Sequence, residues 1–158
     1  MNTKIQELHK KAELTYLEDQ ELERINHYLL YSLSKRVEIY KLISSQEIDI
    51  FQPIANQINT IFTEEEPEKI ELALKYWISI LRHWCMALII EEPNYLNDHI
   101  LEWLVPQIKG YQISILSNKI FSLLQKSLSK KLSSVQYSLI KPYIQETEKN
   151  LVNPNFSS

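Results

Sequence analysis

The chain has 158 residues and a single glycine, Gly110. Strand-rich folds depend on glycine for hairpin turns and bulges, where the backbone must take a positive φ. A chain nearly without it, and rich in Leu, Ile, Lys, Glu and Gln, reads as helices joined by short polar connections. The length suits one domain with a core of its own. Hydrophobic residues make up 44% and charged residues 23%, as in ordinary globular chains. The expected fold class is therefore all-α.

Apolar spacing divides the chain into elements. A first helix is expected over residues 3–17, with Ile5, Leu8, Ala12 and Tyr16 on one stripe. A second runs from Asp19, a plausible N-cap, to about residue 42. Leu22, Ile25, Leu29, Leu33, Val37 and Tyr40 recur along it at steps of three and four. Ser44 and Glu47 have capping-box spacing ahead of Ile48, Phe51, Ile54, Ile58 and Ile61, and Pro53 should kink that helix or open a new first turn. Thr63, three glutamates and Pro67 form a helix start. The helix that follows should reach Ile90, burying Ile70, Leu74, Trp77, Leu81, Trp84 or Cys85, and Leu88. Glu91-Glu92-Pro93-Asn94 breaks it. A shorter helix follows over 95–107 with Leu96, Ile100, Trp103 and Leu104 inward, then a turn at Gly110. Two more helices cover 113–128 and 134–151, with a possible kink at Pro142, and residues 152–158 should fray. Residues 1–151 thus read as one domain.

Several function classes are disfavoured. A net charge of −3 argues against nucleic acid, which requires a basic face. Lys126, Lys130 and Lys131 read as a solvated helix end. One cysteine excludes an internal disulfide and a cysteine-based structural zinc site, and fits a reducing compartment. The N-terminus lacks the apolar core of a secretory signal. Residues 77–90 are the longest apolar segment, but they include Arg82 and His83 and are too short to span a bilayer. No transmembrane segment is expected.

No catalytic or metal motif is visible. Cys85 lies on an apolar helix and reads as a small buried hydrophobe. His9, His27, His83 and His99 form no i, i+4 pair, although an all-helical domain could offer His83 or His99 to a haem iron. Trp77, Trp84 and Trp103 at helical spacing read as core, or as the walls of a flat pocket. Arg82 stands apart. A charge within an apolar helix needs an acid on a neighbouring helix or a ligand carboxylate, and both options stay open.

The order of features resembles the phycobiliprotein family. The Leu81-Arg82 pair, the apolar run of residues 86–90 and the break over 91–96 are similar to that family's central-helix signature. Upstream, Ala12, Leu17, Glu21, Ile25 and Tyr28, with Arg36-Val37 beyond, are similar to its N-terminal hairpin. Downstream, Pro142-Tyr143-Ile144 sits where the family has a Pro-Tyr-Phe motif. The resemblance covers about residues 8–151. It implies a globin-like helical bundle with an N-terminal helical hairpin at about residues 3–42.

The departures matter as much as the matches. The family's chromophore-bearing cysteine would fall at Ala73, the arginine that pairs with a bilin propionate at Lys75, and the aspartate that bonds the pyrrole nitrogens at Tyr76. Its Gly-Asp pair has become Glu91-Glu92, and Cys85 is more than three turns from Ala73. The resemblance therefore implies a scaffold without covalent pigment: a non-enzymatic accessory protein with no cofactor. It would act by contact in phycobilisome or photosystem assembly, anchoring, turnover or regulation, in the cytoplasm or at the cytoplasmic face of thylakoids. Leu22, Ile25, Tyr28, Leu29 and Leu33 carry more apolar area than a hairpin can bury in its own core. They are expected to face a partner, in a dimer or with a related subunit. The alternative is a sensor or carrier binding haem or bilin non-covalently, with Lys75 or Arg82 on the propionates.

Overall fold

A computed structural model of the chain describes residue 7 and residues 17–152. The expected helix over 3–17 and the tail beyond 152 fall almost wholly outside the described residues. The protein is an all-α helical bundle, with no strand among the described residues. The chain divides into two compact units, residues 1–34 and 35–158.

Six α-helices are described: α1 (Asp19–Ser45), α2 (Glu47–Ile61), α3 (Pro67–Ile90), α4 (Glu102–Gly110), α5 (Ser114–Lys131) and α6 (Ser134–Thr147). Single wide turns of π-helix precede α4 (Asn97–Leu101) and follow α6 (Glu148–Val152). In the first unit, the described part of α1 exposes Leu22, Ile25, Tyr28, Leu29 and Leu33. In the second unit, α3 packs on α2, α5 and α6, and α2 and α5 pack on each other. By length and composition α3 could cross a bilayer, and its packing at the centre of the bundle accounts for the same composition.

Trp77, Leu81, Trp84 and Leu88 of α3 are buried, on the face expected from their spacing. The two indoles stand edge to face, 6.3 Å apart, and Trp77 leans on Phe121 of α5 at 5.5 Å. Each buried indole N–H has a hydroxyl partner. Trp77 Nε1 donates to Ser117 Oγ, and Trp84 Nε1 donates to Thr147 Oγ1, both at 2.8 Å. A buried indole that lost its acceptor would leave an unsatisfied donor, so these two bonds fix α5 and α6 rotationally against α3.

The structure corrects several local expectations. Ser44 and Glu47 form no capping box. Ser44 Oγ donates to the Lys41 carbonyl at 3.2 Å, and Gln46 is the N-cap of α2. Ile48 is 77% exposed, while Ile50 takes the core position beside Phe51. Glu66, not Thr63, caps α3, with Pro67 at its first position. Gly110 ends α4 without a positive φ, and the left-handed residue of that connection is Gln112. Pro53, Pro106 and Pro142 lie inside helices. Each removes a helical donor from the carbonyl four residues earlier. Those residues, Asp49, Glu102 and Ser138, are all exposed, so solvent can serve the abandoned carbonyls.

Candidate functional site

The C-terminal end of α3 is where distant parts of the sequence converge. Its last four carbonyls have no intrahelical donor. The Ala87 carbonyl accepts from the Glu91 N–H at 3.0 Å and from the Tyr143 hydroxyl at 3.1 Å. The Leu88 carbonyl accepts from Arg36 Nη1 at 3.0 Å. Arg36 also pairs with the Glu91 carboxylate. Glu91 adopts the left-handed conformation, φ 55°, that usually falls to glycine at a helix C-terminus. Arg36 thus closes a helix end, where a cation also suits the dipole. Burial pushes the Tyr143 hydroxyl above its usual range, as the Glu91 carboxylate does more weakly, while Arg36 opposes both.

Arg82 is held by an acid on a neighbouring helix. Its Nε and Nη2 donate to the two Glu47 carboxylate oxygens at 2.7 and 3.0 Å. The fork hydrogen bond holds the Glu47 carboxyl below its usual range. The guanidinium is not interior. Its side chain is 68% exposed, against 25% for Glu47. Glu47 lines two shallow apolar grooves, one between α1, α2 and α3 and the other between α2 and α3. One, of about 210 Å³, is lined by Tyr40, Ile43, Ser44, Leu81, Cys85 and Met86 as well as the pair itself. The other, of about 200 Å³, runs along Glu47, Ile48, Phe51, Ala55, Leu74 and Ile78. Burial, and then the Glu47 carboxylate, push the Cys85 thiol up to about 12, so it is a poor nucleophile.

Lys75 lies outside both grooves and pairs with Glu71, one helical turn away, at 3.3 Å. The structure does not bring Lys75 and Arg82 together around one cavity. Ala73 is buried in the core. Tyr76 packs edge-on against Trp103, ring centroids 5.9 Å apart. Trp103 was expected inward but is 57% exposed. The buried face follows Leu96, Ile100, Leu104 and Ile108 at steps of four through the wide turn at Asn97–Leu101, with Leu101 beside it, and Trp103 falls outside that face.

His83 and His99 flank Tyr95. His99 stacks on the tyrosine ring at 4.3 Å, and His83 lies 6.3 Å from it. His83 Nδ1 is 2.7 Å from the Ser79 carbonyl, which requires the proton on Nδ1. No cluster of three or more His, Cys, Asp or Glu side chains suited to a metal occurs among the described residues. Two features escaped the sequence reading. The Ser133–Gln136 capping box of α6 is written in the sequence as Ser-x-x-Gln. The meeting of Arg36, Glu91 and Tyr143 joins residues more than fifty positions apart and leaves no local signal.

No family model matches this sequence, and no curated protein matches it.

Proposed function

We propose that the chain is a phycobiliprotein-like accessory protein without covalent bilin, globin-like in fold and not an enzyme. It acts by protein–protein contact in the assembly, anchoring, turnover or regulation of phycobilisomes or photosystems. Its place is the cytoplasm or the cytoplasmic face of thylakoids. The observation that carries this reading is the convergence at the end of α3. Three separate segments that bear the resemblance supply its parts: Arg36, the break at Glu91, and Tyr143. Glu91, where the resemblance places a glycine, keeps the left-handed backbone that glycine serves.

Pocket chemistry supports the same reading. Ala73, at the attachment position, offers no thiol and is buried. Tyr76, at the aspartate position, is engaged with Trp103. The two cations proposed for propionates already have carboxylate partners, Glu71 and Glu47. The exposed apolar residues of α1, Leu22, Ile25, Tyr28, Leu29 and Leu33, are the proposed contact surface.

The test is to produce the chain with a bilin supply and examine the denatured band by zinc-enhanced fluorescence. The expected result is no signal. A fluorescent band lost in Cys85→Ala would make Cys85 an attachment site and overturn the reading. Immobilised protein should retain bilin-bearing subunits from a cyanobacterial lysate, and Leu22→Asp with Leu29→Asp should abolish the retention. A Soret or bilin band appearing on addition of haem or free bilin would favour the non-covalent sensor instead.

A further inference from the structure

We infer that the outer face of α5 docks on an anionic membrane surface, with its lysines on the lipid phosphates and Ile115 in the headgroup layer. This face lies on a different element from the α1 contact surface and draws nothing from the phycobiliprotein resemblance. It goes beyond the function proposed above.

The first observation is charge segregation. Residues 103–145 carry six lysines and no aspartate or glutamate, so every acid of the chain lies outside them. The ion pairs among the described residues use Lys35, Arg36, Lys69, Lys75 and Arg82, and none of these six lysines. The net charge of −3 does not cancel this local field, because salt screens exposed charges beyond ~10 Å at 0.1 M. The second observation is placement. Ile115, Lys119, Lys126 and Lys130 fall within about 60° of one another on α5, at about 100° per residue. Lys126 and Lys130 are exposed, Lys119 is half-buried, and Ile115 is 74% exposed. Leu116, Ile120, Leu124 and Leu128 are buried on the other side, where α5 packs on α2 and α3.

The chemistry of the face selects its occupant. Residues 103–145 contain no arginine, the side chain whose planar fork fixes a single phosphate or carboxylate. Lysines are point charges on flexible stems and suit a layer of headgroups that move beneath them. Nucleic acid would take the lysines and give Ile115 no apolar surroundings. A bilayer surface takes both: the ammonium groups meet the phosphates, while the lysine stems and Ile115 reach the acyl boundary. α5 has 18 residues and is about 27 Å long, so Ile115 and the three lysines of the stripe meet one flat surface along its length. A lysine near an anionic surface strengthens binding about five-fold, which makes the stripe worth about a hundred-fold.

Co-sedimentation of the full chain with lipid vesicles is the test. The protein should pellet with vesicles of mixed phosphatidylglycerol and phosphatidylcholine at low salt. It should stay in solution with phosphatidylcholine alone, and about 0.5 M salt should release it. Lys119→Gln, Lys126→Gln and Lys130→Gln together should lower partitioning about a hundred-fold, with far-UV helicity unchanged. A charge-matched control on other helices, Lys41→Gln, Lys69→Gln and Lys75→Gln, should lower it less than about three-fold. Ile115→Asp should weaken binding at every salt concentration. A chain that does not pellet with anionic vesicles at low salt would overturn the inference, as would an equal loss in the control. Duplex DNA bound more tightly than vesicles at the same salt would assign the face to nucleic acid and overturn it too. Vesicle binding without retention of bilin-bearing subunits leaves this face standing and removes the proposed function. Retention without vesicle binding does the reverse.

Discussion

Replacing Arg36 by methionine should destabilise the bundle by about 2–3 kcal/mol. Methionine keeps much of the apolar stem and removes every donor. The largest loss is the hydrogen bond to the Leu88 carbonyl. Leu88 is fully buried, and the Arg36 side chain is only 18% exposed. A charge-assisted bond of this kind contributes roughly 1.5–3 kcal/mol, and its loss leaves a buried acceptor without its donor. The ion pair with Glu91 adds less, about 0–1 kcal/mol, because the glutamate is half exposed and screened. Urea unfolding followed by tryptophan emission is the assay, since Trp77 and Trp84 are buried beside the affected helix end. A loss of this size lowers Tm by roughly 5–10 °C in a domain near this length. Tyr143→Phe, which removes the bond to the neighbouring Ala87 carbonyl, should cost about 1 kcal/mol. The double variant should cost less than the sum, because both side chains serve one helix end. An Arg36→Met cost below about 0.5 kcal/mol would match an ordinary surface substitution and refute the clamp.

Leu81→Ala should cost roughly 2–5 kcal/mol by the same unfolding assay, because the side chain is fully buried and its removal leaves a cavity. Cys85 should resist thiol reagents in the native state and react only on unfolding, since burial pushes its thiol up to about 12. Rapid native labelling would show that the groove opens. Glu47 makes an acid-limb prediction. Its folded pKa lies below the ordinary 4.5, so the unfolded chain takes up the proton first as the pH falls. The pair's contribution is present above 4.5 and is lost as pH falls below it, so Glu47→Gln should flatten that part of the stability–pH curve. An unchanged acid limb would mean that the exposed Arg82 contributes nothing to stability.

The helical character of the chain was legible because it rests on one composition fact and on period. With glycine almost absent and apolar residues at steps of three and four, helices were the available answer, and α3 reaches Ile90 as read, although its N-cap is Glu66 rather than Thr63. Ends and frames were less legible. The spacing of Ile48, Phe51, Ile54, Ile58 and Ile61 fits a helix stripe, yet both end residues are exposed. Ile48 and Ile50 compete for one core position, and tertiary packing selects Ile50. Trp103 was misread because the buried face runs at steps of four through Leu96, Ile100, Leu104 and Ile108, which leaves the step of three from Ile100 to Trp103 outside it. Arg82 was legible as a charge needing a partner. Its exposure was not, because a helix apolar in sequence can still present one edge to water.

The polar groups that invite a chemical reading are each engaged within the fold. Arg82 is forked on Glu47, and Lys75 is paired with Glu71. His83 donates to the Ser79 carbonyl, and the two buried indoles donate to Ser117 and Thr147. No buried side-chain nitrogen or oxygen among the described residues lacks a partner. A binding site for a polar ligand needs groups whose bonding is completed by that ligand. The large exposed feature is apolar instead: Leu22, Ile25, Tyr28, Leu29 and Leu33 along α1, each between 42% and 70% exposed. Exposed apolar area of this kind marks interaction sites, and the proposed contact function rests on it.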